Sequence, residues 1–422
     1  MVDETSCDSE TAREIERACR ESYGRLIAYL AAGSSDLAAA EDALSDAFAS
    51  ALASWPMKGV PLNPDAWLLT AARRNLIDQS RRSATRSAAQ EKLIQAAEEA
   101  QRTSRADAFF PDERLKLMFV CAHAAIDPTI RTPLMLQTVL GLDAATISSA
   151  FLVAPKTMGQ RLSRAKAKIR DVAIRFRVPE EEELHERIHA VQEAIYAAFG
   201  LAWELVRNSS SHIVNLSEEA IWLARILDDL LPENPETLGL LSLMLHCHAR
   251  RRARRSAEGA FVPLGEQDTS MWDTAMTEEA EKVLRRAGTL RRPGPFQMEA
   301  AIQSAHAARR MTGKTDWHAI VLLYEALVQM APTVGARIAA AAAIGRTGNL
   351  AIAMASLDQL NLAAVQSHQP FWVVRAHLLA ESGRHAEAKE AYTRAMGLTE
   401  DPAQRRYLSC RRRALDGGDG RS

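Results

Sequence analysis

"DAATISSAFLVAPKTMGQRLSRAKAKIR", residues 143–170, decides how the rest of the chain is read. Two amphipathic stretches, DAATISSAF and PKTMGQRLSRAKAKIR, are separated only by LVA, which is the spacing of a helix-turn-helix. Asp143 stands where an N-cap is needed, and Ile147 and Phe151 fall on one face at i and i+4. In the second stretch Met158, Leu162 and Ile169 form an apolar seam. The same stretch carries six bases (Lys156, Arg161, Arg164, Lys166, Lys168 and Arg170) and no acid, in a chain whose net charge is only −1. Lys156, Thr157, Gln160, Arg161 and Arg164 project opposite the seam, with Lys168 one turn further along. Glutamine can bond adenine and arginine guanine in the major groove, while flanking bases neutralise phosphates. The plain alternative is a solvated basic face, which the short helix in front of it disfavours.

A length of 422 residues implies two to four domains. Apolar residues make up 47% of the chain but aromatics only 5%, and Ala and Leu dominate with few β-branched clusters. An all-α fold follows. The acidic start, MVDETSCDSETAREIERA, lacks the basic flank and apolar run of a signal peptide, and no apolar stretch reaches the roughly 20 residues of a membrane span, so a cytoplasmic protein without a membrane is expected. Five scattered cysteines (Cys7, Cys19, Cys121, Cys247, Cys410) suit reduced thiols.

Working outward, residues 11–85 read as a first helical module. Its second helix, opened by Asp36, carries the acids Glu41, Asp42 and Asp46. Its third opens at Pro64 and Asp65; from there AWLLTAARRNLIDQSRR and the residues just beyond gather Arg73, Arg74, Arg81, Arg82 and Arg86 against one acid, Asp78, with Trp67, Leu68 and Ile77 as the expected buried side. Residues 86–111 read as a linker and 112–175 as the helix-turn-helix module, in which Pro133 is expected to interrupt a helix. Pro179 and the glutamates after it mark a boundary, and 180–415 read as helical hairpins. Tyr324, Leu357 and Tyr392 recur at separations of 33 and 35, each with a small or apolar residue four back (Ile320, Ala353, Ala388). Trp372, Ala376, Gly383, Ala388, Tyr392 and Ala395 fall at the offsets of a tetratricopeptide (TPR) unit, a short solenoid.

Two basic helices on tethered modules suggest bipartite DNA recognition, and an acidic helix beside one of them makes sense only against a protein. At this point EDALSDAFASALASWP…NPDAWLLTAARRNLIDQSRR and LGLDAATISSAFLVAPKTMGQRLSRAKAKIR resemble regions 2 and 4 of extracytoplasmic-function (ECF) sigma factors, and the tail resembles the TPR-bearing branch, over about residues 11 to 415. The resemblance implies docking on core RNA polymerase, on the β′ clamp through Glu41, Asp42 and Asp46 and also on the β subunit. It implies −10 contacts by Trp67, Arg73, Arg74, Asn75, Asp78, Arg81 and Arg82, and −35 contacts by Lys156, Thr157, Gln160, Arg161, Arg164 and Lys168. It leaves the C-terminal part for regulation or a partner protein. The match departs at Arg73-Arg74-Asn75, where one arginine is usual, and at 190–205, where an Asn-Glu-Gly-Tyr sequence is usual. A free-standing helix-turn-helix regulator with a TPR sensor, and a TPR scaffold with solvated basic faces, are the other readings.

CAH (Cys121, His123) and HCH (His246, Cys247, His248) lack finger-type spacing, so no metal is expected. The run HARRRARRS is expected to cap a helix end or form a solvated turn. No phosphate loop, nucleophile elbow or carboxylate pair is present, and neither catalysis nor a cofactor is expected.

Overall fold

The computed structural model describes residues 4–82, 113–151, 153–205 and 211–416; the expected linker, 86–111, lies outside them. Helix dominates the described residues and no strand forms among them, so the fold is all-α. Contacts divide it into two units, Met1–Leu223 and Ala224–Ser422.

The first unit begins with α1 (Glu4–Ser34), α2 (Leu37–Lys58) and α3 (Pro64–Arg82). The expected cap is present: Asp36 accepts from the Ala39 amide at 3.1 Å. At the mouth of α3 the cap is Asn63, whose Oδ1 accepts from the Ala66 amide, while Asp65 takes a 2.7 Å bond from Arg25 of α1. Leu37, Ala40, Leu44, Ala47 and Ala51 line one side of α2 at helical spacing and are fully buried. On α3 the buried side is Leu68, Leu69, Ala72 and Leu76; the expected Trp67 and Ile77 are half-buried at its margins.

Four helices follow: α4 (Arg114–Cys121), α5 (Pro128–Thr138), α6 (Ala144–Ala150) and α7 (Pro155–Asp171). Helix α5 runs on through Pro133, which is buried, so the expected interruption does not occur. The three-helix start and this group pack directly together. A Cβ at Gly24 of α1 would overlap the Val139 carbonyl at the end of α5, so only glycine permits this approach. Gly141, at φ +65°, turns the chain there against the Tyr23 ring. Helix α8 (Glu181–Leu205) lies along α5, and from α9 (Ser211–Leu230) Glu219 pairs with Arg114, whose guanidinium sits 4.3 Å from the Trp222 ring centre. These contacts carry the unit to Leu223, past Pro179, where the sequence places a boundary.

The second unit centres on α10 (Pro235–Ala249), whose Leu238, Leu240, Leu241, Leu243, Met244 and Leu245 are buried all round. It is flanked by α11 (Thr274–Thr289) and α12 (Pro295–Ala307). A one-turn α13 (Arg309–Thr312) leads to α14 (Trp317–Met330), α15 (Val334–Arg346), α16 (Leu350–Asp358), the short α17 (Leu362–Val365), α18 (Gln369–Glu381), α19 (His385–Gly397) and α20 (Pro402–Ala414). Short connections make neighbours pack in series, α14 on α15, α15 on α16, α18 on α19 and α19 on α20. Of the repeat positions, Ile320, Ala353, Ala388, Leu357 and Tyr392 are buried, whereas Tyr324 is half-buried. The arginine run closes the end of α10: Arg251, itself exposed, bonds the His248 carbonyl there, and half-buried Arg255 pairs with buried Asp401 at 2.6 Å.

Candidate polymerase and promoter interface

The recognition face is built by α6 and α7. Asp143 accepts from the Ala145 and Thr146 amides and the Thr146 hydroxyl; the Thr146 amide bond chiefly holds its carboxyl below the usual range, offset in part by burial. Phe151, expected in the core, ends α6 half-buried. Pro155 opens α7 at its first turn, where its fixed φ suits the helix and its missing N–H loses nothing. Met158, Leu162, Ala165 and Ile169 are buried, and Lys156, Gln160, Arg161, Arg164 and Lys168 are exposed on the other side, with Thr157 half-buried between them.

Arg161, Arg164 and Lys168 also line a groove of about 400 Å³ against Asp127 and Thr129 at the start of α5. Bonds from the Thr129 hydroxyl and amide keep Asp127 below its ordinary pKa, and Arg161 adds to the effect. Asp127 therefore stays ionised in a groove that Arg161 and Arg164 also line. Its DPT context signals a helix cap, and nothing local to it signals proximity to Arg161.

One base of α7 behaves differently. Lys166 leaves the basic face and bonds both carboxylate oxygens of Glu41 on α2, at 2.8 and 2.7 Å, with side chains only 14% and 17% exposed. Burial raises the Glu41 pKa; Lys166 counteracts this by charge and hydrogen bond, and Asp42 reinforces it. Glu41 is thus committed within the chain, and of the three expected polymerase-binding acids only Asp42 and Asp46, one turn apart, are exposed. Cys121 lies beneath this pair, fully buried and bonded to Thr138 at 3.6 Å, its thiol pushed up to about 12 by burial.

On α3 the expected −10 residues split in the same way. Trp67 stacks edge-on against Trp55 at 5.4 Å. Arg73 donates to the Tyr29 hydroxyl at 2.5 Å and lies 4.8 Å from that ring's centre, and Asn75 donates to the Ala43 carbonyl at 3.2 Å. These three tie α3 to its neighbours, whereas Arg74 and Asp78 face solvent. The side chains of Arg81 and Arg82 lie outside the described residues. No group of three or more potential metal ligands gathers among the described residues, and none of their helices is long and apolar enough to cross a membrane.

Residues 19–86 match sigma-70 region 2, and residues 187–288 match DUF6596, a family of unknown function. The match to sigma-70 region 2 supports a sigma-factor role in transcription initiation, and with it binding of core RNA polymerase and promoter DNA. The chain belongs to the same family as the uncharacterized protein R00370 of Rhizobium meliloti (strain 1021), to which it is 34% identical over 392 residues, 92% of either chain. No solved structure matches it.

Proposed function

We propose that the protein is an ECF-type sigma factor. Residues 11–85 act as region 2, residues 112–175 as a region 4 helix-turn-helix, and residues 180–415 as a TPR-like part that regulates the factor or receives a partner protein. The observation that carries the reading is the sidedness of α7: Lys156, Gln160, Arg161, Arg164 and Lys168 emerge together opposite a buried Met158–Leu162–Ile169 stripe, with a capped short helix in front. In this reading those residues and Thr157 contact the −35 element. Arg74 and Asp78, with Arg81 and Arg82, contact the −10 element, while Trp67, Arg73 and Asn75 hold α3 in place until melting begins. Asp42 and Asp46 dock on the polymerase β′ clamp, with the β subunit as a second contact.

Geometry adds a condition. Elements at −10 and −35 lie roughly 25 base pairs apart, about 85 Å of duplex. Helices α3 and α7 both pack on α2, so they lie within about two interaxial distances, on the order of 20 Å. Both elements are therefore engaged together only after α7 leaves α2, which core polymerase brings about by holding Asp42 and Asp46. Gel shifts with duplex promoter DNA, with and without core enzyme, test this: promoter-specific binding needs core enzyme, and equally tight specific binding by the protein alone would mark a free-standing helix-turn-helix regulator.

A further inference from the structure

The second unit contains a cavity of about 440 Å³, inside the range of roughly 300–1,000 Å³ typical of small-molecule sites. Its floor is the alanine side of α15, with Ala339, Ala342 and Ala343 where larger side chains would fill the space. Its walls come from four other helices: His306 of α12, Trp317 and Tyr324 of α14, His377 of α18 and Tyr407 of α20. In a chain with only 5% aromatics, three aromatic rings and two imidazoles converging from residues a hundred positions apart make a surface for a flat ring. His306 stands edge-on to Trp317, ring centres 5.4 Å apart, so the wall is ordered by its own packing.

The polar groups favour an anion. Arg346 holds its guanidinium 5.3 Å from the centre of the Trp317 ring, and its carboxylate partner, Glu381, is 3.9 Å away, beyond hydrogen-bond reach. Its donor fork is therefore open for a bidentate acceptor beside an aromatic face. Arg411 faces the same space from α20. Glu266 and Glu381 also line the cavity, but both side chains are at its water-exposed rim. The inner imidazoles report the field: burial first, then Arg250 and Arg309, take His306 down to about 4, and burial, then Arg411 and Arg346, take His377 to about 4.

We propose that this cavity binds a small aromatic carboxylate, the ring held on the Trp317–Tyr324 wall and the carboxylate on the Arg346 guanidinium. The site lies wholly in the second unit and is independent of any promoter role. Titration calorimetry of the full chain with benzoate and 4-hydroxybenzoate tests it, with benzamide, benzylamine and acetate as neutral, cationic and ringless comparisons. The expected result is saturable one-to-one binding of the aromatic acids with Kd below about 1 mM, and binding of the comparisons at least about tenfold weaker. Arg346→Gln, at an exposed position that leaves the core intact, weakens the acids about tenfold or more, and Ala342→Leu, which fills the floor, abolishes binding. No saturable binding of either acid at about 10 mM overturns the proposal. So does equal affinity for benzylamine, or undiminished binding to Arg346→Gln in a protein whose unfolding transition is unchanged.

Discussion

Lys166→Met is the most informative single change. It removes the cation that faces Glu41 while keeping the length and apolar stem of the side chain. Exposed ion pairs contribute about 0–1 kcal/mol, whereas breaking a fully buried pair costs about 3–5 kcal/mol because a charge is left without its partner. With both side chains under a fifth exposed, this pair stands nearer the second limit, so the expected loss is about 2–3 kcal/mol. In a unit of this size that lowers the melting midpoint by roughly 5–10 °C. The folded-state pKa of Glu41 is raised, so the stability tied to this group is fully present below 4.5 and is lost as pH rises through the folded value; removing Lys166 deepens that loss. Glu41→Gln combined with Lys166→Met leaves no buried charge and recovers most of the stability, a double-mutant cycle that isolates the pair. Lys168→Met, on the exposed face of the same helix, stays within about 0.5 kcal/mol of the wild type. Urea denaturation followed by circular dichroism measures the wild type, Glu41→Gln, Lys166→Met, the double variant and Lys168→Met. Under the proposal that α7 leaves α2 when core polymerase binds, Lys166→Met also tightens core binding about tenfold, equivalent to about 1.4 kcal/mol. An unchanged urea midpoint, or weaker core binding, refutes the reasoning.

Four further outcomes are expected. Gly24→Ala places a methyl group against the Val139 carbonyl, and the overpacking loss of about 1–3 kcal/mol exceeds the gain in helix propensity of about 1 kcal/mol, so the melting midpoint falls; a rise contradicts the close approach. His246, His306 and His377 are each held near 4, chiefly by burial, so their contribution is present above about 6.5 and is lost as pH falls toward 4, by about 2 kcal/mol per histidine between pH 7 and pH 5; His246→Leu flattens that dependence, and an unaltered profile counts against it. Arg161→Ala weakens −35 use by about 1–3 kcal/mol on the matched sequence only, whereas reversing charge at Asp42 and Asp46 abolishes co-purification with core enzyme and spares the fold; loss of equal size on every promoter marks Arg161 as a phosphate contact.

Features set by nearby residues were legible in the sequence. Asp36 and Asp143 cap the helices they precede, and the spacing of Met158, Leu162 and Ile169 shows which side of α7 is buried, because both depend on residues within two turns. The all-helical composition fixed the fold class in the same way. Lys166 counts only as one of six bases in its stretch, and nothing nearby shows its pairing, because its carboxylate partner lies 125 residues away. Arg73 and Asn75 share that history: their types suit DNA, and their bonds to Tyr29 and Ala43 come from packing between helices. The packing of α8 is not announced locally either: proline and charge near Pro179 are nearby signals, whereas Val191, Ile195 and Phe199 are buried in a helix that packs on α5, some fifty residues earlier. The cavity was invisible for a related reason, since its rings arrive from helices spread over residues 306–411 and no local pattern announces that they meet.

Run-off transcription with purified core RNA polymerase tests the central claim most directly. The account predicts transcripts from a defined start only when this protein and core enzyme are both present, and their loss when Asp42 and Asp46 are reversed in charge. A protein that neither associates with core polymerase nor changes its start-site choice on any template contradicts it.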